Sequence, residues 1–403
     1  MVEKIKKKIK KLELLSPAGD FECLNSAIES GADAIYFGLQ DFNMRGRAKN
    51  FKISDLEKIK KICDKKGIKK YLTLNTLIYD NELEGIEKLI KKVCGYVDAV
   101  ICSDISIMLL CKKYKIPFFV STQVSVSNVE SAKFFKKLGC SRIVLARELS
   151  LNQIKKISKV VDIEIFIHGA MCVSESGRCF TSQFLFNESA NRGKCIQPCR
   201  RKYNVFDDKG NSLKVDNNFI FSAKDLCTLP FFEKIKSSGA VSFKIEGRNK
   251  DPVYVSTVTR VYKEALDDKL SEERIKELIE ELSYVYNKGF SSGFYKGYPT
   301  RDDFSKIENS SATEKKLFLG KIEHYYDKLG VGLLKLNTGS LKIGDFVYII
   351  GKTTSVKRLK IESMEIENKS VNEVKKGMSV GIKLPNVRVR KNDSVYKIVK
   401  KKG

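Results

Sequence analysis

Short apolar runs and longer amphipathic segments alternate through the first 250 residues. The runs at 13–16, 34–38, 70–74, 99–103, 118–121, 142–146, 163–168 and 241–246 are β-rich and short, which predicts strands. Between them, 21–30, 54–66, 82–93, 129–138 and 151–158 repeat apolar residues at helical spacing. Parallel strands need long crossovers, and helices supply them. Eight strands alternating with helices predict a closed (β/α)8, TIM-like barrel of the α/β class. A doubly wound sheet is the competitor, but no glycine-rich dinucleotide turn follows any strand. The alternation breaks once, where about 70 residues separate the seventh strand from the eighth.

Beyond the eighth strand, 253–266 and 272–286 carry helical patterns, and a Gly/Ser/Tyr-rich loop covers 288–301. From about residue 315 the texture becomes short alternating strands with turn signals at Asn337-Thr338-Gly339, Ile343-Gly344-Asp345 and Lys376-Gly377. That texture predicts a small all-β barrel. The expected organisation is a barrel domain over 1–250 with an insertion at 169–230, a helical connection over 251–312 and a β-barrel domain over 313–403.

Composition narrows the function classes. Hydrophobic residues make up 42% of the 403, enough for real cores and too many for a disordered chain. No apolar run reaches membrane-spanning length. The lysine-rich start leads into no apolar stretch, so it is not a secretory signal and the expected location is cytosolic. Lys and Arg number 75 against 49 Asp and Glu, a formal charge of +26. The excess is densest in 313–403, where 21 basic residues face 9 acidic ones. Such density suits an RNA-facing module, and equally a solvated lysine surface.

Eleven cysteines in a cytosolic chain are not expected to form disulfides. Cys23, Cys63, Cys94, Cys102, Cys111 and Cys140 are scattered, mostly among apolar neighbours, and read as small core residues. Cys172, Cys179, Cys195, Cys199 and Cys227 all fall inside the insertion, spaced Cys-x6-Cys, x15, Cys-x3-Cys, x27, Cys. A soft thiolate set of this size binds zinc or an iron–sulfur cluster. Only Cys195 and Cys199 have zinc-knuckle spacing, so the irregular pattern with a fifth cysteine leans toward a cluster while zinc stays open.

An α/β barrel places its chemistry at the C-terminal ends of its strands. Asn75, Gln123, Arg147, His168, Lys244, Glu246 and Arg248 fall there, and the cysteine insertion belongs over the same mouth. Each also has a structural reading: the arginines as rim ion pairs, His168 as a satisfied core group.

The segment Glu164-Ile165-Phe166-Ile167-His168-Gly169-Ala170-Met171-Cys172-Val173-Ser174-Glu175-Ser176-Gly177-Arg178-Cys179-Phe180-Thr181-Ser182 resembles the signature of the collagenase-like peptidase family U, of unassigned mechanism. The resemblance begins at Glu13-Leu14-Leu15-Ser16-Pro17-Ala18-Gly19. It continues through Phe42-Asn43-Met44-Arg45, Ser121-Thr122-Gln123, Leu145-Ala146-Arg147-Glu148 and Asn191-Arg192-Gly193. It ends with Ser222-Ala223-Lys224-Asp225-Leu226-Cys227, Phe243-Lys244-Ile245-Glu246-Gly247-Arg248 and the C-terminal barrel. Thr181 departs from it, standing where the signature usually carries an aliphatic residue.

Despite the family's name, the resemblance implies an oxygen-independent hydroxylase holding a [4Fe–4S] cluster. Branches of the family act on the tRNA wobble uridine with prephenate as oxygen donor, on a ribosomal RNA cytidine, or in ubiquinone synthesis. The ubiquinone branch lacks the C-terminal barrel, so the basic barrel points to the tRNA branch and to 5-hydroxyuridine. The implied cluster ligands are Cys172, Cys179, Cys195 and Cys227, with Cys199 as an alternative member. For the two carboxylates of prephenate, Arg147 and Arg248 are the first candidates, with Arg45 and Lys244 behind them, since guanidinium groups bind carboxylate in a fork. Asn75 and Gln123 complete the expected substrate contacts, and His168, Lys244 and Glu246 are the candidate catalytic residues. A peptidase reading has less to stand on. There is no His-Glu-x-x-His helix, and the Gly-x-Ser-x-Gly match at 289–293 follows a helical pattern rather than a buried strand.

Overall fold

A computed structural model describes residues 11–46, 49–212 and 219–401. The lysine-rich start, residues 1–10, lies outside them. Eight parallel strands form a ring: β1 (Glu13–Pro17), β2 (Ala34–Phe37), β3 (Lys69–Leu74), β4 (Ala99–Cys102), β5 (Phe118–Val120), β6 (Arg142–Val144), β7 (Ile163–Gly169) and, after β8 (Asp225–Cys227) in the chain, β9 (Ser242–Ile245). Ring neighbours pair in order, and β9 closes the ring by pairing Ser242 with both Glu164 of β7 and Glu13 of β1. Closure leaves no exposed sheet edge. The expected barrel is present.

Strands β2, β4, β5, β7 and β9 are buried along their whole length, as parallel strands covered by helices must be. One helix follows each of the first six strands: α1 (Phe21–Glu29), α2 (Leu56–Lys66), α3 (Leu83–Val93), α4 (Ile105–Lys113), α5 (Val129–Leu138) and α6 (Leu151–Ile157). Their starts are set by side-chain caps, such as Asp20 accepting from the Cys23 amide at 2.8 Å and Asn128 from Ser131 at 2.8 Å.

The segment between β7 and β9 carries α7 (Thr181–Phe186), then β8, then α8 (Phe232–Lys236). Strand β8 lies antiparallel on the end of β7, with Cys227 opposite His168. Downstream, α9 (Pro252–Asp267) packs on α1 and β1, α10 (Glu272–Tyr284) follows, and β10 (Phe290–Ser291) adds to β8 in parallel. These two short strands escape the sequence pattern, being three and two residues long.

From Glu314 onward the chain is all antiparallel β: eight strands in one sheet order, from Glu314–Tyr326 to Ser394–Lys400, plus a ribbon of Ser340–Lys342 with Glu373–Lys375. Its own core gathers Leu319, Ile322, Leu334, Val347, Ile349, Val380 and Val395. The other face meets the barrel. Tyr348 and Ile350 join the barrel's core, and the Ser355 hydroxyl donates to the Ser26 hydroxyl at 3.2 Å.

Candidate functional site at the barrel mouth

The barrel interior is polar at both ends. At the N-terminal end, Glu164 of β7 is fully buried and bonded to Lys244 Nζ at 2.8 Å and Arg142 Nη1 at 3.2 Å. Arg142 also holds Glu13 at 2.6 Å, and the Ser242 hydroxyl donates to the same carboxylate at 2.8 Å. Burial pushes the Glu164 carboxyl up, but the charges of Lys244 and Arg142 outweigh it and hold it below the ordinary carboxylate range. Two carboxylates and two cations close that end.

The C-terminal end is different. Arg45, Arg147, Arg248, Lys244, Glu246, Asn75 and Gln123 line one recess of about 50 Å³ inside the mouth. Arg45 pairs with Glu246 at 3.1 Å. Arg248, buried at the end of β9, donates from Nη1 to Thr73 Oγ1 at 2.7 Å and forms no ion pair among the described residues. Burial pushes its guanidinium down to about 10, and the neighbouring Arg45 charge adds to that. Gly38 makes room for it, since a Cβ there would stand 2.4 Å from Arg248 Nη1. Arg147 donates to Ala170 O at 2.9 Å and lies over the Phe166 ring at 4.7 Å, while its buried Nε has no partner. Asn75 is committed to the Met44 amide at 3.2 Å, and the Ser121 hydroxyl donates to Gln123 Oε1. Lys244 forms the floor, its amine turned to Glu164 and 4.3 Å from the Tyr36 ring centroid.

Above this recess opens a larger cavity of about 200 Å³, and Arg45, Gln123 and Arg147 line both. Its outer wall is the 170–200 segment, with Cys172, Cys179, Cys195 and Cys199 all facing it. The segment is tied down by Arg200, which donates to Met171 O and to Ala223 O at 2.5 Å each. Gly169 turns the chain over the mouth at φ +109, where a Cβ would meet Glu246 Cβ at 2.8 Å. Burial pushes the Cys199 thiol up to about 11; Arg200 opposes this, and the nearby Cys172, Cys195 and Cys179 add to it. Cys179 Sγ is hydrogen-bonded to Thr181 Oγ1 at 3.5 Å, and although burial raises its thiol, bonds from Thr181 and Ser174 bring it below the ordinary range. Among the described residues, no three His, Cys, Asp or Glu side chains stand close enough to hold a single metal ion.

Cys227 and His168 stand apart from this cavity. Cys227 is buried on β8, 3.6 Å from the Tyr262 hydroxyl, and burial pushes its thiol up to about 11. His168 is buried among Tyr254, Tyr262 and Phe290, and burial pulls its imidazole down to about 3, so it is neutral. Neither lines the mouth. A group that sequence reasoning passed over is Asp225, buried beside Lys250, Lys288 and Arg200 with neither carboxylate oxygen hydrogen-bonded. Burial pushes it up to about 6. Its polar neighbours read as loop, and only the packing of β8 and β10 buries it.

The Gly-x-Ser-x-Gly match sits on β10, followed by turns rather than a helix, with Ser291 Oγ accepting from the Gly293 amide at 3.2 Å. No helix among the described residues is long and apolar enough to cross a membrane.

Comparison with known proteins agrees with this architecture. The model of the family described as peptidase family U32 matches residues 19–305. A protein named collagenase from Porphyromonas gingivalis is 38% identical over 409 residues, covering 96% of this chain and 98% of its own length. A tRNA hydroxylation protein of Bacillus subtilis is 34% identical over 356 residues, covering 85% of this chain and 84% of its own. The 23S rRNA 5-hydroxycytidine synthase of Escherichia coli is 41% identical over 260 residues, covering 64% of this chain but 39% of its own length. A matched region that runs from α1 through β9, the cysteine segment and β10, leaving out only β1 of the barrel ring, leads to one conclusion: the chain belongs to peptidase family U32.

Proposed function

We propose that this protein hydroxylates a base in RNA, namely the wobble uridine of tRNA, with prephenate as oxygen donor and a [4Fe–4S] cluster held at the barrel mouth. The observation that carries the reading is that four cysteines and four guanidinium groups, those of Arg45, Arg147, Arg200 and Arg248, border two adjoining cavities. Relatives named for tRNA and ribosomal RNA hydroxylation support the reaction class. Cys172, Cys179, Cys195 and Cys199 are the proposed ligands, because they face one space while Cys227 lies beneath it against Tyr262. When bound, such a cluster supplies one-electron chemistry. The chain's own part is to bind and orient. Arg248 and Arg147 offer unpaired donors to the two carboxylates of prephenate, and Glu246 keeps Arg45 turned inward. The basic C-terminal module supplies further phosphate contacts.

The test is anaerobic purification with absorption spectrum and iron, sulfide and zinc analysis, alongside nucleoside mass spectrometry of tRNA from a hydroxylation-deficient strain carrying the gene. Brown protein, cluster loss in Cys199→Ala but not in Cys227→Ala, and restored 5-hydroxyuridine are expected. Colourless protein with one zinc would overturn the redox part.

A peptidase reading has behind it the name of the Porphyromonas relative. Hydrolysis of denatured collagen that survives Cys172→Ala would favour it.

A further inference from the structure

The rim of the cavity carries side chains that the chemistry above leaves unused. On and beside α7, Phe180, Phe184 and Leu185 are 58, 83 and 55% exposed, and Phe186 is exposed as well. Helix α7 buries only Ser182, whose hydroxyl accepts from the Ile196 amide at 3.3 Å and lies 4.0 Å from Cys195 Sγ. The helix is thus anchored by a serine and turns its aromatic residues outward, the reverse of an ordinary surface helix. Phe180 and Phe184, one turn apart, hold their ring centroids 6.0 Å apart. A contiguous apolar patch of this kind marks an interaction surface.

Its surroundings are cationic. From Arg178 to Lys202 the chain has six basic residues and one acidic residue, Glu188. The Arg201 guanidinium lies 4.9 Å from the Phe186 ring centroid. Arg178 and Lys194 are exposed; the Arg178 pair with Glu175 at 3.2 Å lies at the surface, where an incoming phosphate can replace it, and Lys194 stands 3.7 Å from Glu188. Exposed rings interleaved with guanidinium and ammonium groups suit stacked bases on a phosphate backbone. The patch also adjoins the site: Cys179 and Thr181 line the cavity, while Phe180 between them is exposed.

We infer that α7 is a stacking platform for the unpaired nucleotides that flank the base undergoing modification. This rests on the RNA reading above and adds where single-stranded RNA is gripped. The positive charge favours RNA over an apolar protein partner or a second copy of the chain.

The experiment compares wild type, Phe184→Ala and Phe184→Trp for binding a fluorescein-labelled RNA stem-loop with a seven-nucleotide loop, and a fully paired RNA of equal length, by anisotropy. Loss of one stacked base weakens stem-loop binding by about fivefold or more. Paired RNA is bound unchanged, Phe184→Trp binds like wild type, and melting temperature and iron content stay constant because Phe184 is a surface residue. Wild-type stem-loop affinity in Phe184→Ala overturns the inference alone. Wild type that binds neither RNA overturns the RNA reading and this with it. A wild-type dimer in sedimentation that Phe184→Ala dissolves makes the patch an interface between copies instead.

Discussion

The two ends of the barrel are built from the same residue types and do opposite things. At the N-terminal end every charge has a partner: Glu164 with Lys244 and Arg142, Glu13 with Arg142. At the C-terminal end cations outnumber carboxylates, and Arg248 is buried with a threonine hydroxyl in place of an ion pair. A protein gains nothing in stability from a buried guanidinium without a counter-charge, because desolvation works against it. Pairing, not polarity, separates the plug from the mouth.

The largest effect should come from unbalancing the plug. Glu164→Gln leaves Lys244 buried without its carboxylate and is expected to cost about 3–5 kcal/mol in urea denaturation. The same variant also changes the response to pH. Glu164 is held below the ordinary carboxylate range, so its contribution is complete above that range and is lost as pH falls through the folded-state value. Wild type therefore loses stability on acidification more steeply than Glu164→Gln.

Next comes the mouth. Arg248→Met should leave unfolding within about 1 kcal/mol of wild type. With the mouth taking prephenate as proposed, the variant should weaken that binding by about 1.5–3 kcal/mol, read by calorimetry, as expected for one charged hydrogen bond. An Arg248→Met protein as unstable as Glu164→Gln would make the mouth a second plug. The smallest effect sets the scale for charge in water. Lys357 pairs with Glu29 at 2.7 Å on the surface between the β module and α1, and Lys357→Ala should cost under about 1 kcal/mol in the same denaturation.

The barrel strands were legible because runs such as 34–38 and 99–102 are continuously apolar and separated by helical spacing, the pattern of a parallel sheet covered by helices. The mouth was legible by position, since the ends of β6 and β9 announce Arg147 and Arg248. What stayed hidden depends on packing between distant segments. The three residues of β8 carry no periodicity, so nothing in the spacing of Cys199 and Cys227 tells that one faces the cavity while the other pairs with His168. Lys244 reads as a free amine until Glu164, 80 positions away, is seen beneath it. The exposure of the phenylalanines of α7 follows from Ser182 being the residue that turns inward, which no spacing announces.

The seam between barrel and β module has a bearing on how the chain can be divided. Tyr348 and Ile350 belong to the barrel's hydrophobic cluster, with Val356, Tyr396 and Ile398 packed beside them. Lys316 reaches back to Asp251 at 2.7 Å, beside the first turn of α9. A fragment ending at residue 312 would present α1 and α9 with a bare apolar wall where those side chains had been. The change of texture near residue 313, plain as it is to the eye, is therefore a poor place to cut. A loss of RNA affinity after such a truncation would report a sticky, half-clothed barrel as readily as a missing RNA contact.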